Sequence, residues 1–356
     1  MKRFVYAAVF TAALTAFTAY AALDTFVLKD VMQTDATEMN TAIFEGVEKK
    51  EITRSDNGTA AEGDNTEKTK PEKDTQEKSD NGDPGGSTKS KRAAKGRHEN
   101  GTEAGRSDTG NTGKVTAEGS KTADSENYSI VLSEYEQNGT KIYVADIQVT
   151  SAEYVKTAFA DDTYGRNVTE TVSDMADRTD AVLAINGDYY GAQERGYVIR
   201  NGVVYRDSAD GDDICCLYAD GTLEIVSAGE KTAEELVEDG VWQAWSFGPG
   251  LVEDGEITVS VNDEVGRAKA SNPRTAIGMI DSCHYVFVVS DGRTSESEGL
   301  SLYQLAQFML SLGVRNAYNL DGGGSSTMVF EGEIVNNPTS GNSIKERAVS
   351  DMIYIG

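Results

Sequence analysis

Three stretches with different hydrophobic patterns follow one another along the 356-residue chain. Residues 4–23 carry no charge, and residues 54–122 contain no Leu, Ile, Met or aromatic residue. From Tyr128 onward, short apolar runs alternate with polar positions and are separated by turn dipeptides. This division predicts an apolar N-terminal segment, a polar linker and one folded domain. The predicted boundaries are residues 1–28, 29–126 and 127–356.

The apolar N-terminal segment has the features of a membrane-targeting signal. Lys2 and Arg3 precede twenty uncharged residues, which are enough to cross a bilayer as a helix. Ala19-Tyr20-Ala21 also matches a small-x-small cleavage site. We expect a signal peptide or an uncleaved signal-anchor helix, and we favour the anchor because a long polar linker is most useful when one end is fixed. The predicted location is extracytoplasmic, anchored to the cell membrane by this helix or otherwise secreted.

Residues 54–122, which form most of the polar linker, offer almost no apolar surface that they could bury. They consist mainly of Gly, Ser, Thr, Asn, Lys and Glu. Burial therefore cannot offset the entropy cost of ordering it, and we predict that residues 29–126 are mostly disordered. Such a linker acts as a tether and contributes no chemistry.

The folded domain begins with patterns typical of antiparallel strands. Two pairs of alternating runs flank Asn138-Gly139 and Asn201-Gly202, which are dipeptides that favour hairpin turns. A third pair, residues 275–280 and 284–290, turns at Asp281-Ser282. Much of the domain is therefore predicted to be antiparallel sheet.

Helices are predicted at two places in this domain. The clearer one covers residues 302–312, where Ser301 and Gln304 form a capping box and Gly313 favours termination. The other lies around residues 167–178. The predicted fold class is α+β: a mixed, largely antiparallel sheet domain with a few packed helices, preceded by a membrane-targeting segment and a disordered linker.

Charge and rare residues disfavour several classes of function. The net charge is −26, and residues 127–356 hold 15 Lys and Arg against 37 Asp and Glu, which disfavours nucleic-acid binding. The two histidines, His98 and His284, supply neither a metalloprotease motif nor a histidine-based triad. Cys215, Cys216 and Cys283 are too few for a disulfide framework; we expect them to be buried, with a disulfide to Cys283 as an alternative. Catalysis would then rest on carboxylates, amides and arginines.

The most distinctive motif is Asn319-Leu320-Asp321-Gly322-Gly323-Gly324-Ser325-Ser326-Thr327. Consecutive glycines allow the backbone to approach a ligand closely, and their amides can bind an anion. A strand-like run follows and the lysine of a nucleotide P-loop is missing, so a Walker-type site is not predicted. A plain flexible turn is the simpler alternative. The preceding Asn-Leu-Asp favours a functional loop.

Five other motifs accompany this loop in the sequence. They are Ala184-Ile185-Asn186-Gly187-Asp188-Tyr189-Tyr190, Phe247-Gly248-Pro249, Asn272-Pro273-Arg274-Thr275-Ala276-Ile277-Gly278, Asp291-Gly292-Arg293 and Arg347-Ala348-Val349. Together the six motifs resemble the phosphodiester glycosidase family. The resemblance covers residues 181–355 and extends more weakly back to residue 128. Each motif alone is weak, whereas six in one order are specific.

The resemblance implies a hydrolase that breaks the glycosidic bond of a sugar-1-phosphodiester, such as an N-acetylglucosamine-1-phosphodiester, and leaves a phosphomonoester. Phosphate is a good leaving group, so the main requirements are phosphate binding and stabilisation of an oxocarbenium-like centre. Asp321 is the first candidate for the catalytic carboxylate, as nucleophile or base. Asp291 is the second, although Asp-Gly also suits a plain turn.

Residues from all six motifs except Phe247-Gly248-Pro249 are candidates for binding the substrate and its phosphate. Arginine recognises phosphate well, a buried-strand asparagine could orient the sugar, and tyrosine could stack on it. The predicted binding residues are Asn186, Tyr189, Arg274, Arg293, Asn319, Gly322, Gly323, Gly324, Ser325, Thr327 and Arg347. The family accepts small residues at the position of Asp188, so no catalytic role is carried over there. Arg293 stands where a lysosomal member has an amide residue, which leaves its role open.

Other functions fit the same residues. The phosphate-binding residues could serve a phosphodiesterase that cleaves P–O, and the domain could be a non-catalytic surface glycan-binding module. No cofactor and no metal site is predicted, although Asp321, Asp291 and backbone carbonyls could hold a divalent cation. The expected partners are a sugar-phosphate polymer or glycan of a cell wall, capsule or exopolysaccharide, and the membrane through the N-terminal segment; nucleic acid is not expected.

Overall fold

The computed structural model describes residues 2–52, 118–209, 213–261, 271–341 and 343–356. The chain divides into two units, of which one consists of Met1–Arg54 and Gly113–Gly356 and the other of Ser55–Thr112. The second unit, which is the middle of the predicted linker, lies outside the described residues. The first unit contains every element given below.

Helices form a small part of the described chain. The α-helices are α1 (Lys2–Phe26), α2 (Val172–Arg178), α3 (Ala233–Glu238) and α4 (Leu302–Ser311). Short 3₁₀ turns cover Thr41–Phe44, Ala152–Tyr154, Ala160–Asp162, Tyr190–Ala192 and Gly323–Ser325.

Strands make up most of the regular structure. They are β1 (Asp30–Gln33), β2 (Glu118–Asp124), β3 (Tyr128–Gln137), β4 (Thr140–Val149), β5 (Val155–Phe159), β6 (Tyr164–Arg166), β7 (Leu183–Asn186), β8 (Val198–Arg200), β9 (Val203–Arg206), β10 (Ile214–Tyr218), β11 (Leu223–Val226), β12 (Val241–Trp245), β13 (Gly250–Glu253), β14 (Glu256–Ile257), β15 (Arg274–Asp281), β16 (His284–Ser290), β17 (Asn316–Asn319), β18 (Met328–Phe330), β19 (Glu333–Ile334), β20 (Thr339–Ser340), β21 (Ser343–Ile344) and β22 (Asp351–Ile355).

Three larger sheets hold most of these strands. An eight-stranded sheet has the order β14-β13-β17-β15-β16-β4-β3-β2, and two five-stranded sheets have the orders β11-β10-β12-β8-β9 and β19-β18-β7-β22-β5. Two-stranded pairs, β1-β6 and β20-β21, complete the arrangement. All pairings between these described strands are antiparallel. The domain is therefore mostly antiparallel sheet with few helices, as predicted.

The predicted hairpins are confirmed. Asn138-Gly139 joins β3 to β4 with φ of 52° and 62°, and Asn201-Gly202 joins β8 to β9 with φ of 52° and 75°. Positive φ at both central residues is what a type I′ turn requires, and Asn and Gly tolerate it. The β15-β16 pair also forms, with its turn at Ser282-Cys283.

The main hydrophobic core lies between the three larger sheets. It contains Phe287 from the eight-stranded sheet, Trp245 from the second sheet and Ile353 from the third, all fully buried. Cys215 and Cys283 belong to the same core. These two residues and Cys216 are buried and free, so the expected burial is confirmed and the alternative disulfide is not formed.

Helix α4 matches its prediction closely. Ser301 accepts a hydrogen bond from the Gln304 N–H and the Gln304 side chain accepts one from the Ser301 N–H, which is the predicted capping box. Its apolar stripe packs on the outer face of the eight-stranded sheet. Helix α2 begins later than predicted, at Val172, because the Thr171 side chain caps it by accepting a hydrogen bond from the Asp174 N–H.

The N-terminal region is only partly as predicted. Helix α1 exists, but among the described residues no helix combines the length and the apolarity needed to cross a membrane. Both ends of the predicted linker are ordered, since β1 pairs with β6 and β2 forms the edge of the eight-stranded sheet. The predicted domain start at residue 127 is therefore too late by nine residues, because β2 begins at Glu118. Polar composition conceals such strands, since an edge strand need not bury an apolar face.

Two of the sheets meet where several motifs lie. Strand β17 of the eight-stranded sheet leads into residues 320–327, which cross to β18 of the neighbouring five-stranded sheet. Strand β15 begins with Arg274 beside this crossing, and β7 ends there with Asn186. This crossing positions the candidate site.

Candidate active site

Asp321 lies directly after β17, at the start of the crossing segment. Its Oδ2 accepts hydrogen bonds from the Ser325 hydroxyl and from Nη2 of Arg347, the latter at 2.8 Å. The Asp321 side chain is only 13% exposed. Burial raises the pKa of Asp321 above its ordinary value, and Arg347 and Ser325 offset part of that rise. Asp321 is thus a shielded carboxylate with one cationic partner.

Asn186 holds the backbone at Asp321. Its Nδ2 donates to the carbonyl of Asp321 at 2.7 Å, and its Oδ1 accepts from the Thr275 hydroxyl at 2.8 Å and from the Thr327 N–H at 3.3 Å. Asn186 is fully buried. The amide of Asn186 is therefore occupied in positioning the loop, and its contact with the sugar stays a prediction.

The three glycines let the loop approach its neighbours closely. A Cβ on Gly322 would lie 2.9 Å from the carbonyl oxygen of Pro273, and one on Gly323 would lie 2.7 Å from Nη2 of Arg293. Gly323 also has φ of +64°, which favours glycine. Its N–H donates to the Pro273 carbonyl at 2.8 Å, so this amide is occupied, and anion binding by the glycine amides stays a prediction.

Two cavities share Asp321, Tyr189 and Arg347 in their walls. The Asp188 cavity, of about 180 Å³, is also lined by Asn167, Thr169, Asp188, Ser325 and Ser350. The arginine cavity, of about 270 Å³, is also lined by Phe247, Asn272, Arg274, Arg293 and Gly322 to Gly324. Asp321 is therefore accessible from two differently lined spaces, and the two cavities together are called the groove below.

The arginine cavity concentrates positive charge on an acidic protein. Arg274, Arg293 and Arg347 all line it, and Asp321 is the carboxylate in its wall. Nε of Arg274 donates to the Leu300 carbonyl at 2.9 Å, which fixes the guanidinium although the residue is buried. Arg293 is held by the Asn272 side-chain oxygen at 3.0 and 3.1 Å. Three oriented guanidinium groups suit an anion with several oxygens.

The two adjacent tyrosines have different environments. Tyr189 is 45% exposed and lies in both cavity walls, so it is available to a ligand as predicted. Tyr190 is buried and stacks on Tyr164 with ring centroids 5.4 Å apart. Only the first of the pair belongs to the groove.

A buried ionic cluster behind the Asp188 cavity was missed by sequence reasoning. Arg200 donates from Nη2 to Asp188 at 2.9 Å and from Nε to Asp351 at 2.8 Å, and all three side chains are at most 1% exposed. Burial raises the pKa of Asp351 to about 7, against the opposing effect of Arg200. The other oxygen of Asp351, Oδ1, is buried without a hydrogen-bond partner. The three residues are far apart in the sequence, and no local spacing could reveal the cluster.

Asp291 does not join Asp321. Its carboxylate accepts from the Asn337 N–H at 2.7 Å and from the Asn337 side-chain amide at 2.9 Å, and it is 2% exposed. Tyr143 and Asn336 contribute longer bonds of 3.5 Å. The oxygens of Asp291 thus fix the loop at residues 336–337, outside the walls of both cavities, and its role as the second catalytic carboxylate stays a prediction.

Two other predicted binding residues lie behind the groove. Asn319 is buried and donates from Nδ2 to the Gly248 carbonyl at 2.8 Å, and Thr327 is fully buried. Neither contributes to the walls of the two cavities. Ser325, in contrast, lies in the Asp188 cavity beside Asp321. Within the part of the chain that is described, no three His, Cys, Asp or Glu residues come together in a way that could hold a metal ion.

Comparison with known proteins gives both sequence and structural matches. Residues 179–356 match a family model described as phosphodiester glycosidase. The SPbeta prophage-derived uncharacterized protein YomE of Bacillus subtilis is 31% identical over 265 residues, which are 68% of this chain and 41% of YomE. The human N-acetylglucosamine-1-phosphodiester α-N-acetylglucosaminidase is 44% identical over 66 residues, which are 18% of this chain and 13% of that enzyme. The chain thus spans less than half the length of these curated relatives.

One solved structure shares the fold. It is the catalytic domain of zebrafish N-acetylglucosamine-1-phosphodiester α-N-acetylglucosaminidase, auto-inhibited by its pro-peptide. The TM-score is 0.50 at 23% sequence identity, over 69% of this chain and 84% of that one. At this identity the likeness concerns the fold alone.

Proposed function

The chain belongs to the phosphodiester glycosidase family, and from this premise we propose that it is an extracytoplasmic hydrolase acting on sugar-1-phosphodiesters of a cell-wall, capsular or exopolysaccharide polymer. It would cleave the glycosidic bond, as the names of the human and zebrafish relatives state for those enzymes. The observation that carries the proposal is the position of Asp321 between a cavity lined by three arginines and a cavity lined by tyrosine and small polar side chains.

The two cavities suggest how such a substrate would bind. The phosphate would occupy the arginine cavity, where Arg274, Arg293 and Arg347 offer charged donors. The sugar would occupy the Asp188 cavity, with Tyr189 against its ring and hydroxyls of Ser325 and Ser350 nearby. In this arrangement the bond between the sugar carbon and the phosphate oxygen passes over Asp321.

Asp321 would carry the chemistry at the sugar carbon. Its carboxylate either attacks that carbon, forming a glycosyl ester that water then hydrolyses, or removes a proton from the attacking water; in both cases the glycosidic bond breaks with both electrons going to the phosphate oxygen. The phosphate leaves as an anion, so it requires little protonation. Arginines already oriented around it stabilise the charge that develops as the bond breaks. A single accessible carboxylate is therefore sufficient, which agrees with the location of Asp291 outside the groove.

A phosphodiesterase remains the second candidate because of Ser325. Its hydroxyl donates to Asp321 and accepts from Arg347, a geometry that resembles a nucleophile beside its base. If the phosphorus atom, and not the sugar carbon, lay above Ser325, attack by its hydroxyl would cleave P–O, expel the other alcohol and leave the sugar phosphate on Ser325, from which water would release a sugar 1-phosphate. The products distinguish the two reactions.

The test is to incubate the full-length chain with N-acetylglucosamine-1-phospho-methylmannoside and identify products by mass spectrometry. Free N-acetylglucosamine with a mannoside phosphomonoester would support the proposed reaction. It should disappear in Asp321→Asn and persist, at a reduced rate, in Ser325→Ala. Sugar 1-phosphate that depends on Ser325 would instead establish the phosphodiesterase. Binding of glycan with no product from any member of a panel of wall polymers would leave only the glycan-binding module.

A further inference from the structure

The polar segment after α1 lies along the folded domain. Residues 28–50, called the docking segment below, contact the domain throughout their length. At its start, the Leu28 carbonyl accepts from Nδ2 of Asn167 at 2.9 Å, and Lys29 pairs with Asp161 at 3.0 Å. Strand β1 then pairs with β6. A Cβ on Gly165 of β6 would lie 2.3 Å from the Asp30 carbonyl oxygen, so this pairing requires glycine there.

The middle and end of the docking segment are held equally well. The Ala36 N–H donates to the backbone carbonyl of Asp162 at 2.7 Å. The Asn40 N–H donates to the backbone carbonyl of Asn201, at the β8-β9 turn, at 2.8 Å. The Phe44 ring meets Trp242 of the main core edge-on, with centroids 5.0 Å apart. Finally, the backbone N–H of Lys50 donates to the backbone carbonyl of Thr150 at 2.8 Å. Backbone bonds, an ion pair and an aromatic contact are thus spread over more than twenty residues.

Because the docking segment contacts the domain, it keeps α1 close to the domain. Helix α1 ends at Phe26, and the first contact with the domain is made two residues later, at Leu28. Asn167, which binds Leu28, is part of the wall of the Asp188 cavity. The chain downstream of the docking segment returns to the domain at β2. The separation between α1 and the groove is therefore set by the docking segment.

Exposed apolar side chains point to a lipid partner for the same end of the molecule. Of the sixteen large hydrophobic residues exposed in the described chain, twelve lie between residues 6 and 39, and seven of those are on α1. The first acidic residue of the chain is Asp24, and Lys2 and Arg3 precede the apolar run. The part of α1 before Asp24 is therefore apolar without acidic groups, which suits acyl chains.

We propose that the docking segment fixes the catalytic domain to α1 and thereby holds the groove at the surface of a lipid bilayer with which α1 associates. The inference rests on the proposed membrane location and adds a short fixed attachment in place of a flexible tether. The enzyme would then act on sugar phosphodiesters close to the membrane.

The experiment cuts the chain without removing any part of it. A specific protease site is inserted between Gly85 and Gly86 of the full-length chain, which is reconstituted with phosphatidylcholine vesicles and sedimented before and after cleavage. We expect the fragment that contains Asp321 to remain with the vesicles after cleavage and to co-elute with the N-terminal fragment in detergent. Release of that fragment on cleavage would overturn the docking, and failure of the uncut chain to bind vesicles would overturn the membrane attachment.

Variants separate docking from folding. Phe44→Ala, and independently Asn40→Pro, which removes the N–H that binds Asn201, should leave the uncut chain on the vesicles but release the domain after cleavage. Met39→Ala, at an exposed position of the same segment, should behave as the parent. Hydrolysis of the small soluble substrate reports on the proposed reaction in every sample, so its failure is distinguishable from failure of the docking. Retention of the cut domain by both docking variants would contradict the proposal.

Discussion

Asp321 and Asp291 are alike in sequence and opposite in structure. Each follows a strand, precedes a glycine and is largely buried. Asp321 has one cation and one hydroxyl as side-chain partners and lies in the walls of two cavities. Asp291 accepts four hydrogen bonds, three of them from the neighbouring residues Asn336 and Asn337. A carboxylate that accepts few hydrogen bonds and lies in the wall of a cavity is available for chemistry. A carboxylate whose oxygens are fully hydrogen-bonded has a structural role.

The largest expected effect is on the turnover of Asp321→Asn. The amide neither attacks a sugar carbon nor accepts a proton, and loss of such a group typically reduces kcat/KM by about 10²–10⁴-fold. The fold should be retained, because the amide oxygen can still accept a hydrogen bond from Arg347. Steady-state kinetics on the small phosphodiester, with thermal unfolding as the control for folding, measure both. Undiminished turnover in folded Asp321→Asn would remove Asp321 from the mechanism.

The next effect concerns Arg347, which donates to Asp321, whereas the described hydrogen bonds to Asp291 come from Tyr143, Asn336 and Asn337. Arg347→Lys keeps the charge but loses the forked guanidinium group, which donates hydrogen bonds to both Asp321 and Ser325. Loss of hydrogen bonds to a charged group costs about 1.5–3 kcal/mol, so we expect kcat/KM to fall by about 10–10²-fold. Arg178→Lys is the matched control, because Arg178 pairs with Asp162 and Glu170 away from the groove. Equal loss in the two variants would mean that the arginine fork has no special role at Asp321.

The local parts of the fold were predictable, and the reasons are visible in particular residues. Asn138-Gly139 determines its own hairpin, and Ser301 with Gln304 determines the start of α4, because turns and caps depend on neighbours in sequence. Asp321 was also identified, as the carboxylate of a glycine loop after a buried strand. Such features need no knowledge of the tertiary fold.

The parts that sequence reasoning missed depend on distant residues. Asp188, Arg200 and Asp351 meet only because β7, β8 and β22 are brought together in the fold. Asn186 looks like a ligand-binding amide until its four hydrogen bonds are seen. The docking segment was predicted to be disordered together with the polar residues that follow it, yet backbone hydrogen bonds, an ion pair and the ring of Phe44 hold it.

The structural role of Asp291 predicts a loss of stability and no loss of chemistry. In Asp291→Asn one acceptor oxygen becomes a donor that faces the donors of Asn337, so buried groups lose their partners. We expect a destabilisation of about 1–3 kcal/mol. Denaturant unfolding measures it, and kcat per folded molecule should remain that of the parent. A variant that unfolds normally but fails to turn over would restore Asp291 as a catalytic candidate.

A prediction about pH extends the comparison to the third carboxylate, Asp351, which faces neither the groove nor a saturating set of donors. Burial raises its pKa to about 7 in the folded protein, against an ordinary value of 3.8. Between those two values the folded state binds more protons than the unfolded state, so stability falls as pH rises. The contribution of Asp351 to stability is fully present below pH 3.8 and is lost as pH rises through about 7. In Asp351→Asn this part of the pH dependence should vanish, because the amide does not titrate. Unfolding measured across this window, with Asp281→Asn at the exposed end of β15 as the control, tests it. If the parent and Asp351→Asn lose stability in parallel as pH rises, Asp351 is already ionised within its cluster, and Arg200 outweighs the cost of burying its charge.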